Sequence, residues 1–122
     1  HGTTFGGNLL AMRAGITTIE VMEDERLMDR AARTGERIMT GIRAAFQGRP
    51  GVVEVRGQGL MIGIELDSPC DEIVGKALEA GLVLNVTASK VIRLLPPLIF
   101  EDAHADHLVE KLVPLIAEHV GA

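Results

Sequence analysis

From Asn8 onward, apolar residues recur every three or four positions: Met12, Ile16 and Ile19 first, then Leu27, Ala31, Ile38, Ile42 and Phe46. This period predicts two helices, one from an Asn8 cap to about Met22 and one from Asp24 to about Phe46. Gly35 and Gly41 should weaken the second by about 1 kcal/mol each relative to Ala. Gly48-Arg49-Pro50-Gly51 then brings together residues that cannot continue a helix.

The period changes at Val52. Val52–Arg56 and Leu60–Leu66 alternate apolar with polar or small residues, the mark of half-buried strands, with Gly57-Gln58-Gly59 as the bend between them. Ile73, Val74, Ala77 and Leu78 predict a short helix after Pro69, ended by Gly81. Leu82–Val86 and Val91–Leu95 read as an antiparallel hairpin closed by Pro96-Pro97, because proline cannot donate to a ladder. Glu101-Asp102 opens a last helix to about Val120, with Leu108, Leu112, Leu115 and Ile116 on one face and Pro114 expected to loosen its last turns. The fold class is α+β: a small, mainly antiparallel sheet carrying helices on one face.

Composition narrows the function. At 122 residues, 47% hydrophobic and 24% charged, the chain suits one globular core rather than disorder. Twelve Lys and Arg against 17 Asp and Glu give a net charge of -5, and the cations are scattered, which argues against nucleic acid and anionic membranes as partners. No apolar run approaches the roughly 20 residues of a membrane span. Cys70 is the only cysteine, which fits a reducing compartment and predicts a cytoplasmic location. The start at His1, with no Met and a glycine-rich loop behind it, predicts a piece of a longer protein. With three Phe and no Trp or Tyr, packing rests on aliphatic residues, and Met12, Met22, Met28, Met39 and Met61 are expected to fill the core.

Two features suggest chemistry. Gly2-Thr3-Thr4-Phe5-Gly6-Gly7-Asn8 offers two hydroxyls and backbone N–H groups ahead of a helix, the ingredients of an anion cradle, although such a loop is more often a plain turn and cap. Arg93 interrupts the otherwise uncharged run Val91–Phe100; either it binds an anion, for which its planar fork suits a carboxylate, or its stem packs on the sheet and its head reaches water. His104 and His107, flanked by Asp102 and Asp106, are read as a solvated helix face, and no metal is expected. Cys70 has no neighbouring base in sequence, and no nucleophile-elbow pattern supports hydrolysis.

Three stretches together, His1–Asn8, Val55-Arg56-Gly57-Gln58-Gly59-Leu60-Met61-Ile62-Gly63-Ile64-Glu65-Leu66 and Val91-Ile92-Arg93-Leu94-Leu95-Pro96-Pro97-Leu98, resemble the class III pyridoxal-phosphate-dependent aminotransferases in order and spacing. Within that family they are most similar to the branch that moves an amino group from N-acetylornithine to 2-oxoglutarate in arginine biosynthesis. The resemblance implies the C-terminal part of such an enzyme. Residues 1–22 would be a phosphate-contacting loop and linking helix from the large domain, and 23–122 the small domain of a fold-type I aminotransferase. It implies that Thr4 reaches across a homodimer to the phosphate of pyridoxal 5'-phosphate with Thr3 in support, and that Arg93 grips the α-carboxylate of the amino-acid or 2-oxo-acid substrate. Leu9 stands where the family usually has proline, which bears on where the first helix starts.

The same resemblance implies what is missing. Lys76, Lys90 and Lys111 do not stand in the context of the family's Schiff-base lysine, so no catalytic residue is expected in this chain and the chain alone should not transaminate. Apolar surface left by a missing large domain should promote self-association, with exchange of the first helix as one route. Other class III members, acting on ornithine, 4-aminobutyrate, lysine or succinylornithine, remain open as alternatives, as does a stand-alone amino-acid-binding or dimerisation module.

Overall fold

Asn8 caps the first helix with its side chain, accepting a hydrogen bond from the Ala11 N–H at 3.0 Å. It opens the first of eight elements in a computed structural model that describes residues 2–121; His1 lies outside the described residues. The order is α1 (Leu9–Asp24), α2 (Leu27–Phe46), β1 (Val52–Gln58), β2 (Met61–Leu66), α3 (Ile73–Glu79), β3 (Asn85–Thr87), β4 (Val91–Leu94) and α4 (Asp102–Val120). The strands form one sheet in the order β1-β2-β4-β3, with every neighbouring pair antiparallel. The α+β class therefore holds, with α2, α3 and α4 on one face of the sheet.

Alternation decides which face is dry. Val55 on β1, Ile62, Ile64 and Leu66 on β2, and Ile92 and Leu94 on β4 are buried beneath Ile38, Ile42 and Phe46 of α2 and Leu108, Leu112 and Ile116 of α4. Each such side chain stabilises the fold by roughly 2 kcal/mol on removal from water. The helix layer is clamped at its outer edge, where Arg37 on α2 donates two hydrogen bonds to Asp106 on α4, at 2.7 and 2.8 Å. At the other end of α4, the His119 ring spans Glu72 Oε1 at 3.0 Å and the Pro69 carbonyl at 2.9 Å, tying the helix to the segment ahead of α3.

Several local expectations change. The β1 strand runs on through Gly57 and Gln58, and the turn is Gly59-Leu60, with Gly59 at φ 58° in the position that favours glycine in a two-residue hairpin. Gly35 is no simple weakness in α2: a Cβ there would fall on the Gly59 carbonyl, so the missing side chain lets the hairpin turn press against the helix. Leu82–Leu84 lie outside the β3–β4 ladder, and Val83 is 92% exposed. Ser89 and Lys90 in that hairpin loop accept backbone hydrogen bonds from Cys70 and Leu66, at 2.7 and 2.8 Å, which docks the loop on the chain leaving β2. Pro114 is exposed on α4 and the helix continues past it to Val120.

The first helix stands apart from the packed unit. Its apolar residues recur at helical spacing, yet no residue of α1 is buried: Leu9 is 82% exposed, Leu10 80% and Ile19 58%. Met12, Met28 and Met61 are likewise exposed rather than packed, whereas Met39 is buried. Between α1 and α2 the chain turns at Arg26, a non-glycine residue at φ 51°, whose guanidinium donates to Asp29 at 2.8 and 3.1 Å.

Candidate functional site

Cross-strand pairing builds the open face of the sheet row by row. Arg56 on β1 pairs with Gly63 on β2, Gly63 with Arg93 on β4, and Arg93 with Asn85 on β3, so these four residues form one row pointing away from the helices. The adjacent row holds Glu54, Glu65, Val91 and Thr87. Arg93 thus stands exposed between buried Ile92 and Leu94, because the period of a strand turns every second residue to the opposite face.

Its neighbours leave it room. Gly63 has no side chain, and the Asn85 carbonyl oxygen Oδ1 is occupied by the Val86 N–H at 2.8 Å. Among the described residues the ion pairs of this face leave Arg93 out. Arg56 Nη1 donates to Glu65 Oε2 at 2.6 Å and to Glu54 Oε2 at 2.7 Å, and these two hydrogen bonds, Glu65 first, raise the Arg56 pKa above its ordinary value. The Arg56–Glu54–Glu65 cluster escaped the sequence reading, since only the register shows that the two glutamates stand opposite each other.

The glycine-rich loop is separate from this row. Thr3 and Thr4 are exposed in the turn ahead of α1, where the Asn8 N–H donates to the Phe5 carbonyl at 3.2 Å. Their hydroxyls point to no partner among the described hydrogen bonds, so they are available to an anion. The described contacts do not bring Thr3 or Thr4 together with Arg93.

Other candidates are engaged elsewhere. The Asp106 carboxylate belongs to Arg37, whose hydrogen bond holds it below the usual carboxylate range, and Asp102 lies 3.8 Å from the same guanidinium. His104 Nδ1 accepts from the Glu101 N–H at 3.3 Å, capping α4, and its ring lies 5.4 Å from that of Phe100. Among the described residues no group of three His, Cys, Asp or Glu is arranged to hold a metal ion. Cys70 is fully buried; burial, and secondarily Asp71, pushes its thiol pKa up, the opposite of nucleophile activation. Lys76 lies 3.3 Å from Glu118, and Lys90 Nζ donates to the Asp67 carbonyl at 3.3 Å. No described helix is long and apolar enough to cross a membrane.

Comparison with known proteins converges on one family. Residues 1–116 match the family described as aminotransferase class-III. The chain is 50% identical over 121 residues to acetylornithine aminotransferase 1 of Bordetella pertussis, covering 99% of this chain and 31% of that protein. It is 45% identical over 116 residues to the acetylornithine aminotransferase of Nitrosomonas europaea, covering 95% of this chain and 30% of the relative. Among solved structures, the acetylornithine aminotransferase of Elizabethkingia anophelis superposes with a TM-score of 0.87 at 30% identity, covering 97% of this chain and 31% of that one. The ornithine aminotransferase of Toxoplasma gondii superposes with a TM-score of 0.88 at 33% identity, covering 98% and 29%. The chain spans about 31% of the length of the curated relative first described.

Proposed function

Because this chain belongs to the class-III aminotransferase family, we propose that it is the C-terminal part of an enzyme that moves an amino group from N-acetylornithine to 2-oxoglutarate. The donor would leave as its terminal aldehyde and the acceptor as glutamate, with pyridoxal phosphate, when bound, supplying the electron sink and carrying the amino group between them. The identity to acetylornithine aminotransferases of two organisms favours this donor; the match to an ornithine aminotransferase structure keeps ornithine as the second reading.

The observation that carries the proposal is the guanidinium of Arg93 on the open face, beside Gly63 and, among the described residues, apart from the ion pairs. A planar fork left without a carboxylate is suited to accept one in two parallel hydrogen bonds. In 2-oxoglutarate the reacting carbonyl is bonded directly to a carboxylate, so a grip at that point fixes the reacting carbon. Thr3 and Thr4 fit the cofactor phosphate: both hydroxyls are exposed and the loop runs straight into the capped N-terminus of α1. Thr4 would make the contact and Thr3 support it, reaching a cofactor bound mainly by the other subunit of a homodimer. The exposed Leu9, Leu10, Met12, Ile16 and Ile19 of α1 favour such an assembly, and favour assigning residues 1–22 to the large domain and 23–122 to the small one. Lys76 and Lys90 are held by the partners described above, and Lys111 lies on the exposed side of α4, so the cofactor-bearing lysine is expected elsewhere and this chain alone is expected to be inactive.

Reduction of the full-length protein and of this chain with borohydride in the presence of pyridoxal phosphate, followed by peptide mass mapping, tests the reading. One adduct per subunit on a lysine outside this chain is expected. A stoichiometric adduct on Lys76, Lys90 or Lys111, or none on either protein, contradicts it. Rates with N-acetylornithine and ornithine as alternative donors separate the two readings.

A further inference from the structure

Glu54 and Glu65 are direct cross-strand neighbours, an arrangement that repels unless a cation stands between them. Arg56 is that cation, and a single Nη1 atom reaches both carboxylates, Glu65 at 2.6 Å and Glu54 at 2.7 Å. Glu65 has a second cation within reach. It pairs with Val91, two residues from Arg93, while Arg93 pairs with Gly63, two residues from Glu65. Glu65 and Arg93 are therefore diagonal neighbours on the same face, at the roughly 7–8 Å separation that long side chains bridge. Position 63 puts no side chain between them; only the Val91 Cγ1 methyl, 3.4 Å from where a Cβ at 63 would stand, lies across that diagonal, and both side chains are long enough to meet above it, while Arg56 Cγ lies 3.8 Å from the same position.

We propose that Arg56 is a positioning residue that holds Glu65 away from Arg93, so that the Arg93 guanidinium stays free for the carboxylate of the substrate. This rests on the reading of Arg93 as the carboxylate grip. Without Arg56, Glu54 repels Glu65 across the strand pair and Arg93 is the remaining cation that Glu65 can reach on this face. An Arg93 already paired with Glu65 binds substrate only in the fraction of molecules in which the pair is open, and apparent affinity falls by that fraction. Gly63 serves the same end: it puts no polar side chain between the two arginines, and a carboxylate at this position would stand directly opposite Arg93.

The test uses the full-length enzyme with 2-oxoglutarate as the varied substrate. Arg56→Gln is expected to raise KM on the order of fivefold, the scale of one partly exposed ion pair, with kcat nearly unchanged. Adding Glu65→Gln to Arg56→Gln is expected to restore KM, and Glu65→Gln alone to leave it at the wild-type value. A structural role for Arg56 alone gives a different pattern: the loss persists in the double variant and tracks a fall in Tm. That pattern, or a KM raised by Glu65→Gln alone, overturns the proposal. If Arg56→Gln does not fold, Arg56→Lys, which keeps one cation near Glu65, and Glu65→Gln alone decide: both are expected to retain the wild-type KM within about twofold, and a larger rise in either overturns it. Arg93→Gln separates the two levels. If it leaves KM for 2-oxoglutarate unchanged, the carboxylate grip itself fails; if it raises KM while Glu65→Gln gives no rescue, only the role of Arg56 fails.

Discussion

Gly35 gives the sharpest test of how the helix layer meets the sheet. In a helix interior, replacement of glycine by alanine gains about 1 kcal/mol from backbone entropy alone. At position 35 the new Cβ would overlap the Gly59 carbonyl, with its carbon at 2.6 Å, so backbone must move on one side or the other. Forcing a methyl into such a contact costs on the order of 3 kcal/mol, which leaves Gly35→Ala destabilised by about 2 kcal/mol. Gly75 on α3 is the control, being exposed with nothing within 4 Å of its Cβ position. There the entropy gain stands alone, and Gly75→Ala is expected to be more stable by up to about 1 kcal/mol. The two variants should move Tm in opposite directions, by about 8 °C down and 4 °C up at this chain length. With no Trp or Tyr, far-UV circular dichroism during urea or thermal unfolding is the suitable probe. A Gly35→Ala variant as stable as the wild type would refute the claim that the hairpin turn rests on the helix.

Three further outcomes follow from the contacts of α4. The Asp106 pKa is held down by Arg37, so the pair contributes stability above the ordinary carboxylate range near 3.8, and that contribution is lost as pH falls through the lower value in the folded state. Asp106→Asn is therefore expected to lower the urea midpoint at pH 7, with the gap to the wild type narrowing as the pH falls below the ordinary carboxylate range; a gap that does not narrow on acidification would contradict this. His119→Ala removes both the Glu72 and Pro69 hydrogen bonds and is expected to cost about 2 kcal/mol. Lys76→Ala, at the neighbouring exposed ion pairs, is expected to cost less than 1 kcal/mol by the same urea titration.

The sheet and its helices were legible because alternation and the helical period are direct consequences of one buried face. Arg93 was legible for the same reason, as a charge in an apolar run. What escaped depended on distant partners. The apolar stripe of α1 has the same period as that of α2, but a period cannot say whether the covering surface belongs to the same packed unit. Gly35 looked like a helix defect because its contact, Gly59, lies 24 residues away and meets it only when the hairpin docks. The Arg56 cluster depended on register, which places Glu54 opposite Glu65 and Gly63 opposite Arg93. Leu82–Leu84 looked like strand from their side chains alone, yet the ladder with β4 begins only at Asn85.

The carboxylate grip proposed for Arg93 is tested most directly by comparing two amino acceptors in the full-length protein: 2-oxoglutarate, and 4-oxobutanoate, which lacks the carboxylate next to the reacting carbonyl. The wild type is expected to favour 2-oxoglutarate in kcat/KM, and Arg93→Gln to shrink that preference by at least about 30-fold, the scale of losing one partner of a desolvated charge pair. A preference that survives Arg93→Gln intact would mean that another residue holds the carboxylate.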